Sequence, residues 1–326
     1  MSRAPEPRRP GAVATWGALG TIYVVWGSTY LGIMVAIETL PPLLMSAARF
    51  LLAGAILYGF AVRRGDTAGD RPNKRQWAAA AVVGAALLLV GNGGVALSEE
   101  RIDSGIAALL VATIPLWMAV LDRVLNGRRL ALPGVSGLVV GLGGVALLVG
   151  PTGSDGIDVL GGVMALSAAF AWAWGSLYAR DASLPSRPLV GAGMQMLAGG
   201  VLLAVAGVAT GELGEVDPGA VSARSLLAVA YLLVVGSVIA YSAYVWLLKN
   251  APTGLVATYA YVNPVVAVAL GAVFLAEPVT PRMLLAGLAI VAAVALIVTS
   301  QSAPQRARRR AEARREAAKQ GATLAA

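Results

Sequence analysis

The stretch Trp26-Gly27-Ser28-Thr29-Tyr30 recurs later in the chain as Trp174-Gly175-Ser176-Leu177-Tyr178, displaced by 148 residues. At a displacement of 149 residues, Pro115 in one apolar segment corresponds to Pro264 in another. Segments rich in Ala, Val and Leu share many residues by chance, but paired Trp-Gly-Ser-x-Tyr motifs and paired prolines are not expected by chance. The sequence therefore predicts two copies of one structural unit.

The composition places both copies in a membrane. Of the 326 residues, 58% are hydrophobic and 13% are charged, and the mean hydropathy is +0.75. A soluble protein of this composition would expose more apolar surface than water tolerates. Because a helix needs roughly 20 apolar residues to cross the hydrocarbon core, the apolar runs predict an all-α integral membrane protein with ten spanning helices. The predicted spans are 15–37, 42–62, 77–97, 104–125, 131–150, 157–179, 188–209, 225–247, 254–275 and 282–300.

Each copy holds five predicted spans, the first at 12–150 and the second at 157–300. Because five is odd, the second copy enters the membrane from the opposite side. Inverted repeats of this kind are typical of secondary transporters, whose substrate sites lie near the midplane between the halves. A duplication retained for packing alone is the alternative interpretation.

The loop charges predict the orientation. If the N-terminus is cytoplasmic, the inner segments carry 21 Lys and Arg residues and the outer segments carry three. Positive residues accumulate on the cytoplasmic side, so both termini are expected there in a multi-pass protein of the cell membrane. The basic tail, 301–326, is expected to lie against anionic lipid headgroups, and no nucleic-acid partner is expected.

The absence of two residue types limits the chemistry. The chain has no Cys and no His, so thiolate ligands, iron–sulfur clusters and the commonest general base are excluded. We expect no metal and no cofactor. A membrane-embedded enzyme remains an alternative, with Glu99, Glu100 and Asp103 as the nearest approach to an acidic cluster. A scaffold or receptor without transport activity is a further alternative.

Several motifs resemble the EamA branch of the drug/metabolite transporter superfamily. In the first half these are Trp26-Gly27-Ser28, the segment from Pro41 to Phe50, and Gly105-Ile106-Ala107-Ala108 followed by Pro115. In the second half they are Tyr259-Ala260-Tyr261-Val262-Asn263-Pro264 and Ala276-Glu277-Pro278. The run Gly91-Asn92-Gly93-Gly94 is most similar to the YedA-like exporter subgroup. The resemblance implies a ten-helix carrier that moves small metabolites, amino acids or drug-like compounds, usually outward, by alternating access; a homodimer is one arrangement left open.

Polar and aromatic residues inside the spans are the candidates for the site. Arg49 is the only basic residue well inside a span, and it would contact either an anionic substrate group or a structural partner such as Glu38. Asn92 would contact substrate or join two helices. The candidates for substrate binding are Trp26, Tyr30, Arg49, Asn92, Tyr241, Tyr244, Tyr259 and Asn263, and the candidates for gating are Pro115 and Pro264.

Two further expectations concern aromatic and acidic residues. Trp26 and Tyr30 share one helix face and would form a cavity wall, whereas Trp174 and Tyr178 would lie at the membrane interface. The carboxylates nearest to membrane depth (Glu38, Glu99, Asp122 and Glu277) stand at or near span ends. We expect water to keep them ionised, and therefore expect weak or absent proton coupling.

The orientation can be tested with reporter fusions. A reporter active only outside the cytoplasm should be active when it is fused near Glu215, in the connection between the seventh and eighth spans. The same reporter fused after Ser302 should be inactive, because the basic tail is expected inside. Activity of the second fusion would contradict the inverted-repeat topology.

Overall fold

The computed structural model describes residues 12–64, 72–127, 132–149, 157–251, 253–256 and 258–297. The predicted tail, 301–326, lies outside these ranges. Eight helices are long and apolar enough to cross a membrane: α1 (Ala12–Ile37), α2 (Pro42–Arg63), α3 (Lys74–Glu99), α4 (Ser104–Leu125), α5 (Leu132–Val149), α6 (Val159–Asp181), α7 (Pro188–Ala209) and α8 (Ala223–Tyr244). Two shorter apolar helices follow, α9 (Tyr259–Phe274) and α10 (Pro281–Ile297). The ten helices coincide with the ten predicted spans.

Three helices are less regular than their hydropathy indicates. Helix α3 contains a π-helical segment at Ala85–Asn92, and α8 contains one at Leu232–Ile239. Helix α4 is divided into Ser104–Val111 and Ile114–Asn126. Pro115 stands in the first turn of the second part, where its missing N–H has no helical partner to lose.

The two halves interlock through corresponding helices. Helix α1 packs against α8 and α9 of the second half, and α6 packs correspondingly against α3 and α4 of the first. The pair α2 and α7 and the pair α4 and α9 each join equivalent helices of the two halves. This arrangement is the inverted repeat that the sequence predicts.

Glycines allow the closest of these approaches. A Cβ atom on Gly27 of the repeated motif would lie 2.6 Å from the Cβ of Val266 on α9. A Cβ atom on Gly137 would lie 2.9 Å from the carbonyl oxygen of Ala293 on α10, and Gly141 packs against the same residue. The G-x-x-x-G spacing of Gly137 and Gly141 therefore serves helix packing.

On the predicted outer side, second-half carboxylates cap first-half helices. Glu277, after α9, accepts hydrogen bonds from the backbone N–H groups of Ser104 (2.8 Å) and Gly105 (3.0 Å) and from the Ser104 hydroxyl (2.6 Å). Glu212, after α7, accepts from the N–H groups of Leu43 (3.1 Å) and Leu44 (2.8 Å). The first N–H groups of a helix lack intrahelical partners, so these carboxylates satisfy α4 and α2 and join the outer ends of the two halves.

Candidate functional site

A cavity of about 290 Å³ lies between the two halves. Helices α1 to α4 and α6 to α9 all contribute to its wall, whereas α5 and α10 pack outside it. All eight predicted substrate-binding residues line it, namely Trp26, Tyr30, Arg49, Asn92, Tyr241, Tyr244, Tyr259 and Asn263. The structure therefore brings the candidates together at one place, and solute binding by them stays a prediction.

Some predicted residues lie elsewhere. Trp174 and Tyr178 stack on each other at 5.5 Å between ring centroids, and each is 38% exposed. They line a crevice of about 480 Å³ beside Arg180 and Asp181 at the inner end of α6, not the central cavity. Pro115 and Pro264 do not line the cavity either, although their neighbours Ile114 and Asn263 do.

Arg49 dominates the electrostatics of the cavity. Its side chain is 5% exposed, its Nε donates to the Ser237 hydroxyl (2.9 Å), and its guanidinium stacks over the Phe50 ring at 4.7 Å. Glu38 is not its partner, because Glu38 pairs with Arg224 at 3.4 Å. Within the described ranges no carboxylate forms an ion pair with Arg49. The cavity therefore holds an uncompensated positive charge that an anionic group can neutralise.

An aromatic cluster lines the same cavity. The Trp26 ring lies 5.1 Å from both the Tyr244 and the Tyr259 rings, and the two tyrosine rings lie 6.0 Å apart. Tyr241 extends the cluster, at 6.2 Å from Tyr244. Such edge-to-face and tilted rings form a firm apolar wall with hydroxyl groups at its edge.

The two π-helical segments place the polar groups of α3 and α8. In a π-helix the carbonyl hydrogen-bonding pattern shifts, and side chains can complete it. Asn92 donates to the carbonyl of Leu87 (3.3 Å), and Ser237 donates to the carbonyl of Leu232 (3.0 Å), each five residues earlier. The sequences Leu87-Leu88-Leu89-Val90-Gly91-Asn92 and Leu232-Leu233-Val234-Val235-Gly236-Ser237 are similar, and they lie in the third helix of each half. The two segments are therefore repeat-related and meet at the cavity.

Asn263 connects α9 to α1. With its amide nitrogen directed at the carbonyls of Tyr259 (3.1 Å) and Tyr23 (3.2 Å), it donates to both. It therefore joins two helices, as amide side chains in apolar spans commonly do. It lines the cavity at the same time.

Six polar or aromatic lining residues are missing from the sequence-based candidates: Thr29, Phe50, Trp172, Ser176, Gln195 and Ser237. Gln195 is a polar residue in the middle of the apolar helix α7, a signal of the same kind as Asn92. Ser176 belongs to the second Trp-Gly-Ser motif. Trp172 stands two residues before Trp174, so which of the two faces the cavity depends on the rotation of α6.

The expectation that water keeps the span-end carboxylates ionised is wrong for Glu99. Its side chain is 3% exposed, and neither of its oxygens has a hydrogen-bond partner in the part of the chain that the structure describes. Helices α1, α2, α4 and α6 pack against the last turns of α3, and this packing excludes solvent from a residue that hydropathy places at a boundary. The described residues contain no group of three or more Asp and Glu arranged to hold a metal ion.

Comparison with known proteins agrees with this architecture. Residues 15–150 and 159–299 each match the EamA-like transporter family. The chain belongs to that family. It is 40% identical over 257 residues to the "Uncharacterized inner membrane transporter YedA" of Escherichia coli (strain K12), covering 78% of this chain and 81% of the relative. The chain is therefore a multi-pass membrane transporter of small metabolites.

More distant relatives extend the comparison. The "Probable amino-acid metabolite efflux pump" of Escherichia coli (strain K12) is 25% identical over 280 residues, covering 79% of this chain and 86% of the relative. A solved structure with 24% sequence identity has a TM-score of 0.58 and covers 88% of this chain and 96% of its own. That likeness shows the fold alone.

The cavity of this EamA-family transporter can be tested for water with single cysteines, because the natural chain has none. The thiolate is the nucleophile that attacks a thiol reagent, and it forms only where water reaches the cysteine. Cysteine at Gln195 or Ser176 should therefore react with a small hydrophilic thiol reagent. Cysteine at Val205 should not react, because this residue of the same helix α7 is exposed on the surface of the protein, away from the cavity. Equal reactivity at Gln195 and Val205 would contradict a water-filled cavity.

Proposed function

We propose that this transporter exports small metabolites that carry a carboxylate next to an apolar or aromatic group, amino acids included. The observation that carries the proposal is Arg49, a buried guanidinium that faces a cavity and has no carboxylate partner within the described ranges. A charge in that position is strongly destabilising unless water or an anion meets it. A substrate carboxylate would supply the missing partner.

The aromatic cluster supports the apolar or aromatic part of the substrate description. Trp26, Tyr244 and Tyr259 present ring faces and edges, which bind apolar groups and also cations. The volume of about 290 Å³ is at the lower end for small-molecule sites, so the solute would be of metabolite size. The name of the amino-acid metabolite efflux relative and the expected cytoplasmic termini favour outward movement of such solutes.

We further propose transport without chemical conversion. The described lining residues offer one guanidinium, three amide groups, several hydroxyls and aromatic rings, and among them is no carboxylate that could act as an acid or base. The repeat units at 12–150 and 157–300 would rock against each other. The paired π-helical segments, together with Pro115 and Pro264, would absorb the backbone changes during this movement.

The substrate class can be tested in proteoliposomes that contain only this protein. We expect exchange of labelled L-amino acids such as leucine and phenylalanine, and much weaker exchange of their amides, which lack the carboxylate. Arg49→Met should lower amino-acid exchange about tenfold or more, because a hydrogen bond to a charged group contributes about 1.5–3 kcal/mol.

Two matched variants control this experiment. Arg49→Lys should lose part of the exchange, because an ammonium cannot form the two parallel hydrogen bonds of a guanidinium. Arg224→Met removes an arginine from the outer surface and should leave exchange near the wild-type rate. Unchanged exchange in a folded, monodisperse Arg49→Met protein would refute the assignment.

A further inference from the structure

Glu99 is a buried acid that the proposed transport cycle leaves without a role. It ends helix α3, is 3% exposed, and neither carboxylate oxygen has a hydrogen-bond partner among the described residues. It stands one helical turn beyond Val95, which lines the cavity. Glu99 therefore occupies the layer between the cavity and the predicted outer surface.

The charged and titratable groups around Glu99 come from three elements. Tyr30, on α1, lines the cavity and lies within electrostatic range of Glu99, as does Glu277 in the segment after α9. The backbone of Met34 on α1 lies close to Glu99 but outside hydrogen-bond geometry. The nearest cation in sequence, Arg101, pairs with Asp158 at 3.7 Å instead.

Glu277 and Glu99 differ in their hydrogen bonding. Glu277 accepts three hydrogen bonds at the start of α4, an arrangement that suits a negative charge. The Glu277 carboxylate also affects Asp103, because partial burial and Glu277 together raise the pKa of Asp103. A second negative charge at Glu99, without water or partner, would be strongly disfavoured. The neutral, protonated carboxyl group is the form that fits this closed arrangement.

We propose that Glu99 is a proton-binding site that couples the opening of the outer side to pH. The proton is held while α1, α3 and the start of α4 are packed together, and it passes to water when these elements separate and hydrate the carboxyl group. Only the proton moves between carboxyl group and water. An acidic exterior protonates Glu99 again and so favours closure of the outer side after the solute is released. This inference rests on the proposed transport function and replaces the expectation of weak or absent proton coupling.

The protonation state can be measured directly, without any solute. In infrared spectra of the full chain in lipid vesicles, a protonated carboxyl group gives a C=O stretching band that disappears on deprotonation. We expect such a band at neutral pH in the wild-type protein. It should be lost in Glu99→Gln, remain in Glu99→Asp in shifted form, and remain unchanged in Glu215→Gln, a change on the exposed outer loop. Absence of the band in the wild-type protein, or its persistence in Glu99→Gln, would overturn the proposal.

The coupling to opening is measured by cysteine labelling from outside. A membrane-impermeant maleimide is added to spheroplasts that express Val95→Cys, and the rate of labelling is measured. The same rate is measured for Leu213→Cys, on the exposed outer loop. The ratio of the two rates removes the ordinary effect of pH on thiols. The ratio should rise with external pH, by up to about tenfold per pH unit for one proton. It should be flat when Glu99→Gln is added.

A pH-independent ratio with Glu99 present, or an equal slope in Glu99→Gln, would overturn the coupling. Neither measurement uses a transported solute. A failure of amino-acid exchange would therefore refute the proposed substrate class and leave the proton site standing, whereas a failure of these two measurements would refute the proton site alone.

Discussion

A guanidinium group within a hydrocarbon layer must be met by water, an anion or hydrogen-bond acceptors, and Arg49 imposes this requirement on the whole molecule. One acceptor, the Ser237 hydroxyl, comes from the opposite half of the chain. The remaining contacts of Arg49 must come from the cavity, which α1 to α4 and α6 to α9 line and which α5 and α10 do not line. Under the proposed function, a solute with a carboxylate completes this requirement.

The inverted repeat explains why irregular backbone lies at the cavity. In a membrane, backbone groups freed from a regular helix must find partners within the protein or in a wet cavity. The π-helical segments of α3 and α8 meet this constraint with Asn92 and Ser237, which bond to the carbonyls of Leu87 and Leu232. Both segments lie at the cavity, and under the proposed transport cycle the movement of one half against the other would use them.

Much of this was predictable from the sequence, and the remainder depends on helix rotation and packing. Hydropathy predicts the ten spans, and polar or aromatic residues inside apolar runs predict the cavity lining, because an apolar environment tolerates few of them. The choice of Trp172 over Trp174 at the cavity depends on the rotation of α6. The burial of Glu99 depends on how closely α1 and α4 approach the end of α3, and a boundary drawn from hydropathy carries no information on that distance.

Alternating movement of the two halves is the central claim, and pulsed electron paramagnetic resonance tests it most directly in this cysteine-free chain. One spin-label pair would join the outer ends of the halves, at Arg101 and Val279, and another the inner ends, at Leu125 and Asn250, all four exposed. On addition of a solute that the vesicles exchange, one distance should lengthen while the other shortens. Distances that stay fixed, or that change in the same direction, would contradict the account.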